Sequence, residues 1–372
     1  MGRALTVVQL LPALESGGVE RSTLEIADAL VRAGHRAIVV SAGGRLLPAL
    51  LATGAEHIQL DIGRKSVWTL RHARSLRGAF ADAGADIVHA RSRLPAWIGW
   101  RALRGMPAER RPHFVTTVHG LNSPSRYSAI MIRGERVVCV SGTVREYVLE
   151  HYPDTDPAKL RVIPRGIDAA QFPRAPWPDR AARAEIAARY PQLDGDGPLL
   201  LLPGRGTRLK GHADALALLQ TLRANGRDAR LWMPGAREPG RERYVAELEA
   251  EAVRRGVAHA FAITPPTGAI AQAYAAADLV LQLSRKPEAF GRTVLEALSV
   301  GRPVLGWAHG GVGELLRELQ PQGAAPPFDA AALAAAASAL LAQSAPPAVT
   351  MSAYTLQAMQ AATLACYQEL AE

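Results

Sequence analysis

Short apolar runs alternate along this chain with longer segments whose apolar positions recur at helical spacing, and the alternation restarts once, after a proline-rich stretch. Runs of this length buried on both faces, each followed by an amphipathic crossover, are the pattern of parallel sheets covered by helices. In the first half the runs at 6–11, 37–41, 87–90, 114–118, 137–140 and 160–163 predict strands. Past 172–178 a second set is predicted at 199–202, 229–233, 279–283 and 304–307. The alanine-rich 329–341 and the closing 351–370 read as helices. An α/β chain of two Rossmann-like, doubly wound domains follows. Pro164 and Gly166 punctuate the chain near Ile167 and Asp168, which places the domains at 1–168 and 169–349, with a last helical segment at 350–372.

Composition narrows the class. With 372 residues, 48% of them apolar, two ordinary cores can be buried. No apolar run approaches the roughly 20 residues that cross a bilayer. The start at Ala4 to Leu11 resembles a signal peptide, but Pro12 and the Glu15-Ser16-Gly17-Gly18 sequence follow it, so a buried first strand and a cytosolic chain are expected. Cys139 and Cys366 lie far apart and give neither a disulfide framework nor zinc-ligand spacing, so both are expected in the core. The net charge of +9 favours an anionic partner, yet nearly all the cations are arginine. Lysine occurs only at 65, 159, 210 and 286, a bias that makes Lys210 stand out. Charge alone supports nucleic-acid binding, and no module for it is recognisable, so no nucleic acid is expected.

In open parallel sheets ligands sit beyond the carboxyl ends of the strands, so the loops there carry the candidates. Gly17 and Gly18 open the first helix, where backbone amides and the helix dipole favour a phosphate; a tight turn would need the same glycines. His89, Arg91 and Arg93 follow the third predicted strand, and His119 with Gly120 follows the fourth. A histidine in such a place is often structural, but two of them shift the balance towards function, more for His119. In Pro203-Gly204-Arg205-Gly206-Thr207-Arg208-Leu209-Lys210-Gly211, a forked guanidinium and a point charge five residues apart can converge on one diphosphate. Glu288 lies in the loop after the 279–283 strand, and Glu296 lies about two turns along the next helix. Their spacing suits one carboxylate on a sugar and one on a ribose diol, with amides near Phe290 and Gly291 facing anionic oxygen. Asp154 and Asp156 resemble a metal-binding DxD, but before Pro157 a capping role is the better reading.

Taken together, GGVER, IVHARSR, TTVHG, VIPRGID, PGRGTRLKG, PEAFGRTVLEA and HGGVGE stand in the order of the GT-B retaining glycosyltransferases of family 4, and the chain resembles that family over nearly its whole length. The resemblance implies a GT-B fold whose two domains face a cleft, with a closing helix, carrying Tyr367, that crosses back to the first domain. It implies that Glu288 lies near the transferred sugar, Glu296 on the nucleotide ribose, Arg205 and Lys210 on the diphosphate, and His119 beside the reacting sugar. Gly17, Gly18, Gly204, Ala289, Phe290 and Gly291 would complete the donor site. Gly206 stands where the family carries an apolar residue and is expected to loosen its loop. The implied reaction moves a hexose from a nucleoside-diphosphate sugar, a UDP-sugar first, with retention and without a metal or other cofactor.

For the acceptor, HARSR and PEAFGR look like those of lipopolysaccharide-core transferases, which places His89, Arg91 and Arg93 on the acceptor side. Arg71, Arg74 and Arg77 share a predicted helix with Leu70, Ala73 and Phe80, and Arg101, Arg104, Arg110 and Arg111 follow Trp97 and Trp100. Such clusters suit an anionic glycolipid and peripheral contact with the inner face of an anionic membrane; a solvated helix face is the plainer reading. A nucleotide-sugar epimerase of the same fold, or a non-catalytic nucleotide-sugar-binding scaffold, is the alternative. The intact Arg205, Lys210 and Glu288 weigh against both.

Overall fold

A computed structural model describes residues 3–15 and 17–372; Met1, Gly2 and Ser16 of the predicted N-terminal features lie outside the described residues. The chain divides into two compact units, one of 1–166 with 356–372 and one of 167–355.

The first unit carries seven strands: β1 Thr6–Leu10, β2 Arg36–Ser41, β3 Glu56–Gln59, β4 Ile87–Ala90, β5 His113–Val118, β6 Arg136–Cys139 and β7 Leu160–Val162. Every pairing is parallel, in the order β3-β2-β1-β4-β5-β6-β7. Strand β3 was not foreseen, because its residues are half exposed at the sheet edge and form no apolar run. The closing helix, Leu356–Ala371, belongs to this unit: Met359, Cys366 and Tyr367 join Val7, Leu11 and Ile26 in one core. It is pinned to the first helix, Gly18–Arg32, where Gln360 donates to the Glu25 carbonyl at 2.7 Å. Both cysteines are free and buried; burial raises the Cys139 thiol to about 12 and the Cys366 thiol to about 11.

The second unit carries β8 Leu199–Leu201, β9 Arg230–Pro234, β10 Phe261–Thr264, β11 Leu279–Gln282, β12 Val304–Trp307 and the two-residue β13 Ala324–Ala325. They pair in parallel as β10-β9-β8-β11-β12-β13. Leu200, Leu231, Leu281 and Trp307 form the heart of its core. Strands β10 and β13 escaped the sequence reading, since one is four residues in an alanine-rich setting and the other is two residues long.

In each sheet the strand order reverses once, between β1 and β4 and between β8 and β11. Loops leaving neighbouring strands to opposite sides part there and open a crevice. The loops after these four strands contain Gly17 and Gly18, Arg91, Arg205 with Lys210, and Glu288. The fold thus gathers candidates scattered over the chain at two switch points, one per unit.

Candidate functional site

In the second unit the loop after β8 ends in a single 3-10 turn, Arg208–Lys210, and the helix His212–Ala224 begins two residues on. Lys210 Nζ donates to Glu288 Oε1 at 2.6 Å, and both side chains are about three-quarters buried. Ser284 also donates to Glu288 Oε1, and Gln282 Nε2 lies 3.5 Å from Oε2. An ammonium has three donors, so Lys210 can hold Glu288 and still offer N–H groups to an anion. Sequence reasoning assigned the two residues to separate parts of a ligand; the structure makes them one unit, with Ser284 and Gln282 as supports it missed. Both supports follow from the β11 apolar run ending in polar residues, a signal visible only once that strand's end is known to face the crevice. Arg205 is exposed, with no side-chain partner among the described residues, so it is open to a ligand but not yet joined to Lys210.

Gly206 corrects an expectation. A Cβ there would lie 2.1 Å from the Ala236 carbonyl oxygen, so glycine lets the loop pack against the next connection rather than loosening it. Gly204, with φ of 144°, sits beside the Lys210 stem.

Glu296 lies on the helix Arg292–Val300 and is 9% exposed. Tyr274 donates to its Oε2 at 2.8 Å, and Arg292 stands 3.5 Å from its Oε1. Burial, then the Glu296 charge, raises the Tyr274 phenol well above its usual value, so it stays a donor. Gly291 precedes this helix without a side-chain cap, next to the buried Phe290, and its carbonyl accepts from the Val294 amide at 2.9 Å. Glu288 is tied to the neighbouring helix Gly310–Leu319 through Gly311 N–H to its carbonyl at 2.7 Å.

His212, at the start of its helix, is buried and donates from Nδ1 to the Thr207 carbonyl at 3.2 Å, bracing the Lys210 loop. Burial lowers it to about 4, against the upward pull of that hydrogen bond. Because a depressed base stays neutral in the fold while the unfolded chain protonates near 6.5, its contribution is complete above pH 6.5. It is lost as pH falls from 6.5 to about 4, at about 1.4 kcal/mol per pH unit and about 3 kcal/mol in all. Chemical denaturation of wild type and His212→Gln across that window is expected to show a shallower acid slope in the variant; equal slopes would place the titrating group elsewhere.

In the first unit, neither Gly17 nor Gly18 has a backbone conformation reserved for glycine, and a Cβ at Gly18 would meet nothing within 4 Å. A tight turn therefore does not explain the pair; Gly17 leaves room at the start of the helix Gly18–Arg32 for the Glu20 carboxylate, whose Oε2 a Cβ at Gly17 would approach to 2.5 Å. Beneath that helix Arg91 donates to Gln9 at 2.7 Å and to Ser22 at 3.2 Å, and Arg165 donates to the same Ser22 hydroxyl at 2.5 Å and to His119 Nδ1. Since a guanidinium can only donate, His119 Nδ1 accepts and the neutral ring carries its proton on Nε2. That Nε2 is buried without a hydrogen-bond partner among the described residues. Burial first, then Arg165 and Arg91, holds the imidazole well below its usual range, so His119 is a neutral hydrogen-bond donor.

The acceptor-side residues are corrected in part. His89 is 1% exposed, with Nδ1 2.6 Å from the Tyr367 hydroxyl and Nε2 2.6 Å from Thr117 Oγ1, so both ring nitrogens are occupied inside the fold. Burial, then Arg91 and Arg165, depresses it strongly. It joins the closing helix to the sheet and is not placed to meet an acceptor. Arg91 is 2% exposed and acts from within, while Arg93 donates to Ser128 at 3.2 Å and covers the Tyr127 ring. Arg165, unremarked in the sequence, lies in the VIPRGID segment; a charge at the end of a strand was the available signal. Asp156 caps the turn Pro157–Lys159 by accepting from Ala158 N–H at 2.9 Å, as the capping reading expects.

Two parallel doubly wound units, each with cations in the loops at its switch point, form a frame on which nucleotides and other phosphorylated ligands are commonly bound. Residues 16–171 match the family model described as Glycosyltransferase Family 4, and residues 185–356 match that of Glycosyl transferases group 1. Each match is to a glycosyltransferase domain, and the two Rossmann-like units are of the GT-B type. The D-inositol 3-phosphate glycosyltransferase of Xylanimonas cellulosilytica is 32% identical over 248 residues, 61% of this chain and 56% of that protein. The chain therefore spans little more than half the length of that relative. The crystal structure of a glycosyltransferase from Rickettsia africae superposes with a TM-score of 0.86 at 28% identity, covering 99% of both chains. Anabaena HepE in complex with UDP and glucose superposes with a TM-score of 0.75 at 18% identity, over 98% of this chain and 97% of that one. Among the described residues no helix is long and apolar enough to cross a membrane.

Proposed function

We propose that this chain transfers a hexose from a UDP-sugar to a hydroxyl of an anionic acceptor, with retention at the anomeric carbon and without a metal. The observation that carries this reading is the Lys210–Glu288 pair at the β8/β11 switch point, beside the uncapped start of the helix Arg292–Val300. As the glycosidic bond breaks, its electron pair goes to the diphosphate, whose growing charge would meet Lys210, Arg205 and the helix amides. Glu288, anchored by Lys210 and Ser284, would orient the sugar hydroxyls, and Glu296, anchored by Tyr274, would accept from the ribose diol. The leaving phosphate oxygen takes the acceptor hydroxyl's proton, so no carboxylate need act as base. His119 Nε2–H would donate to a hydroxyl oxygen of the sugar. The complex of Anabaena HepE with UDP and glucose supports the choice of nucleotide.

For the acceptor, a lipopolysaccharide-core or related envelope glycan is proposed from the HARSR and PEAFGR segments. A phosphorylated cyclitol is the second reading, favoured by the relative that acts as a D-inositol 3-phosphate glycosyltransferase. Both acceptors are anionic, and Arg91 with Arg165, which meet at Ser22 in the helix Gly18–Arg32, would suit either. The test is a panel of UDP-, GDP- and ADP-sugars scored by thermal shift and slow hydrolysis. UDP-sugars are expected to stabilise the chain and release free sugar; stabilisation by none of the panel would overturn the donor assignment.

A further inference from the structure

The first unit presents a second surface that the donor chemistry does not use. A groove of about 690 Å³ is lined by Leu70, Leu94, Trp97, Trp100 and Tyr127, with Lys65, Ser66 and Arg101 at its edge. Such a volume lies within the range of pockets that take one organic ligand. Leu70 was expected on one helix with Arg71, Arg74 and Arg77. Instead the chain breaks into a 3-10 turn, Val67–Arg71, before the helix His72–Ala83, and the break turns Trp68 and Leu70 outward, 72% and 38% exposed. Trp97 is braced by donating to the Tyr127 carbonyl at 2.9 Å, and it meets Trp100 edge to face. The three segments that supply its lining, 61–77, 93–104 and 121–133, hold ten lysines and arginines, of which Arg77 lines another cavity, and a single acid, Asp61. The whole chain has 43 cations to 34 acids, and a preference for arginine over lysine does not remove acids. Asp61 itself is engaged by the Gly63 and Arg64 amides.

We infer that this surface docks on an anionic lipid bilayer, with an acyl chain entering the Trp97–Trp100–Tyr127 groove and Trp68 and Leu70 inserted beside it. Charge complementarity selects the bilayer: arginines around apolar and aromatic side chains meet phosphate headgroups while the rings reach the acyl boundary. Stacking of nucleic-acid bases fits poorly, because Arg104 and Arg133 each lie 4.9 Å from the Trp100 ring centroid and Arg93 lies 5.3 Å from that of Tyr127. Cations thus occupy the Trp100 and Tyr127 rings, on which bases in the groove would have to stack.

The test uses the full chain and reads binding rather than turnover, so it stands apart from the donor reading. Sucrose-loaded vesicles of phosphatidylcholine alone, or mixed with phosphatidylglycerol, are sedimented with the protein. Binding is expected to the mixed vesicles only, weakened but not abolished by salt, and lipids brominated on the acyl chain are expected to quench tryptophan fluorescence. Trp68→Ser with Leu70→Ser, both exposed and so compatible with folding, is expected to weaken partition by at least about tenfold at an unchanged melting midpoint. Equal binding to both vesicle types would overturn the inference. So would wild-type partition by the double variant, or binding without quenching, since either would leave only surface charge. A protein dimer formed through this face in place of vesicle binding would do the same.

Discussion

Replacing Lys210 by alanine is expected to lower turnover of the donor sugar by about 10²–10³-fold, the usual cost of removing one preorganised donor from a developing anion. The fold should survive, because a partly exposed ion pair contributes about 1 kcal/mol or less to stability. The competing explanation is that Lys210 only neutralises Glu288, to which it is bonded at 2.6 Å. A double variant separates the two. If neutralisation were the whole role, Lys210→Ala with Glu288→Gln would recover most of the lost turnover, since the unpaired carboxylate would be gone. If Lys210 acts on the diphosphate, the double variant remains as slow as the single one or slower. Steady-state hydrolysis and transfer, with a melting curve for each variant, make the comparison; near-normal turnover of Lys210→Ala would end the diphosphate assignment.

The largest effect on stability is expected at Arg302, a fully buried side chain that no ligand reaches. Its guanidinium donates to the Ala275 carbonyl at 2.6 Å and the Pro176 carbonyl at 2.5 Å. It also approaches the carbonyls of Ala175 and Val300, at 3.4 and 3.3 Å. The segment at Ala175 and Pro176 is thereby fastened to the helix Ile270–Ala276 and to the end of the helix Arg292–Val300 through one residue. Burial lowers the Arg302 pKa, while the fields of Asp179 and Asp278 oppose this, so the side chain stays charged. Arg302→Ala leaves several carbonyls without donors and opens a cavity, with an expected loss of about 3–5 kcal/mol. Arg302→Met keeps most of the volume and none of the donors. Urea denaturation of both variants is expected to show the methionine nearly as damaging as the alanine. A methionine variant as stable as wild type would show that packing, and not the carbonyl network, fixes this segment.

The legible parts of this protein are those whose signal is local. Strands buried on both faces, such as Ile87–Ala90 and Val304–Trp307, announce themselves as apolar runs, and the residues just beyond them follow from the rule for parallel sheets. The positions of Arg205, Lys210 and Glu288 in the connections after β8 and β11 were legible in this way. The edge strand Glu56–Gln59 was not, because half-exposed residues carry no such run. His89 misled for a related reason: its position at a strand end was right, but the Tyr367 hydroxyl that occupies it arrives from a helix 278 residues away.

The sequence by itself determined the class of the fold, the restart of its pattern, and the loops on which charge and glycine are concentrated, because side-chain period and turn chemistry act over a few residues. Which partners those charges take was decided only by the tertiary structure. Lys210 meets Glu288 across 78 residues, Tyr274 meets Glu296 across 22, and Arg91 and Arg165 converge on Ser22 from β4 and the segment after β7. Such pairings depend on strand order and on the reversal between β1 and β4 and between β8 and β11, which no local pattern encodes. Burial then sets the protonation of His119 and His212, since desolvation exists only once the chain has closed around them.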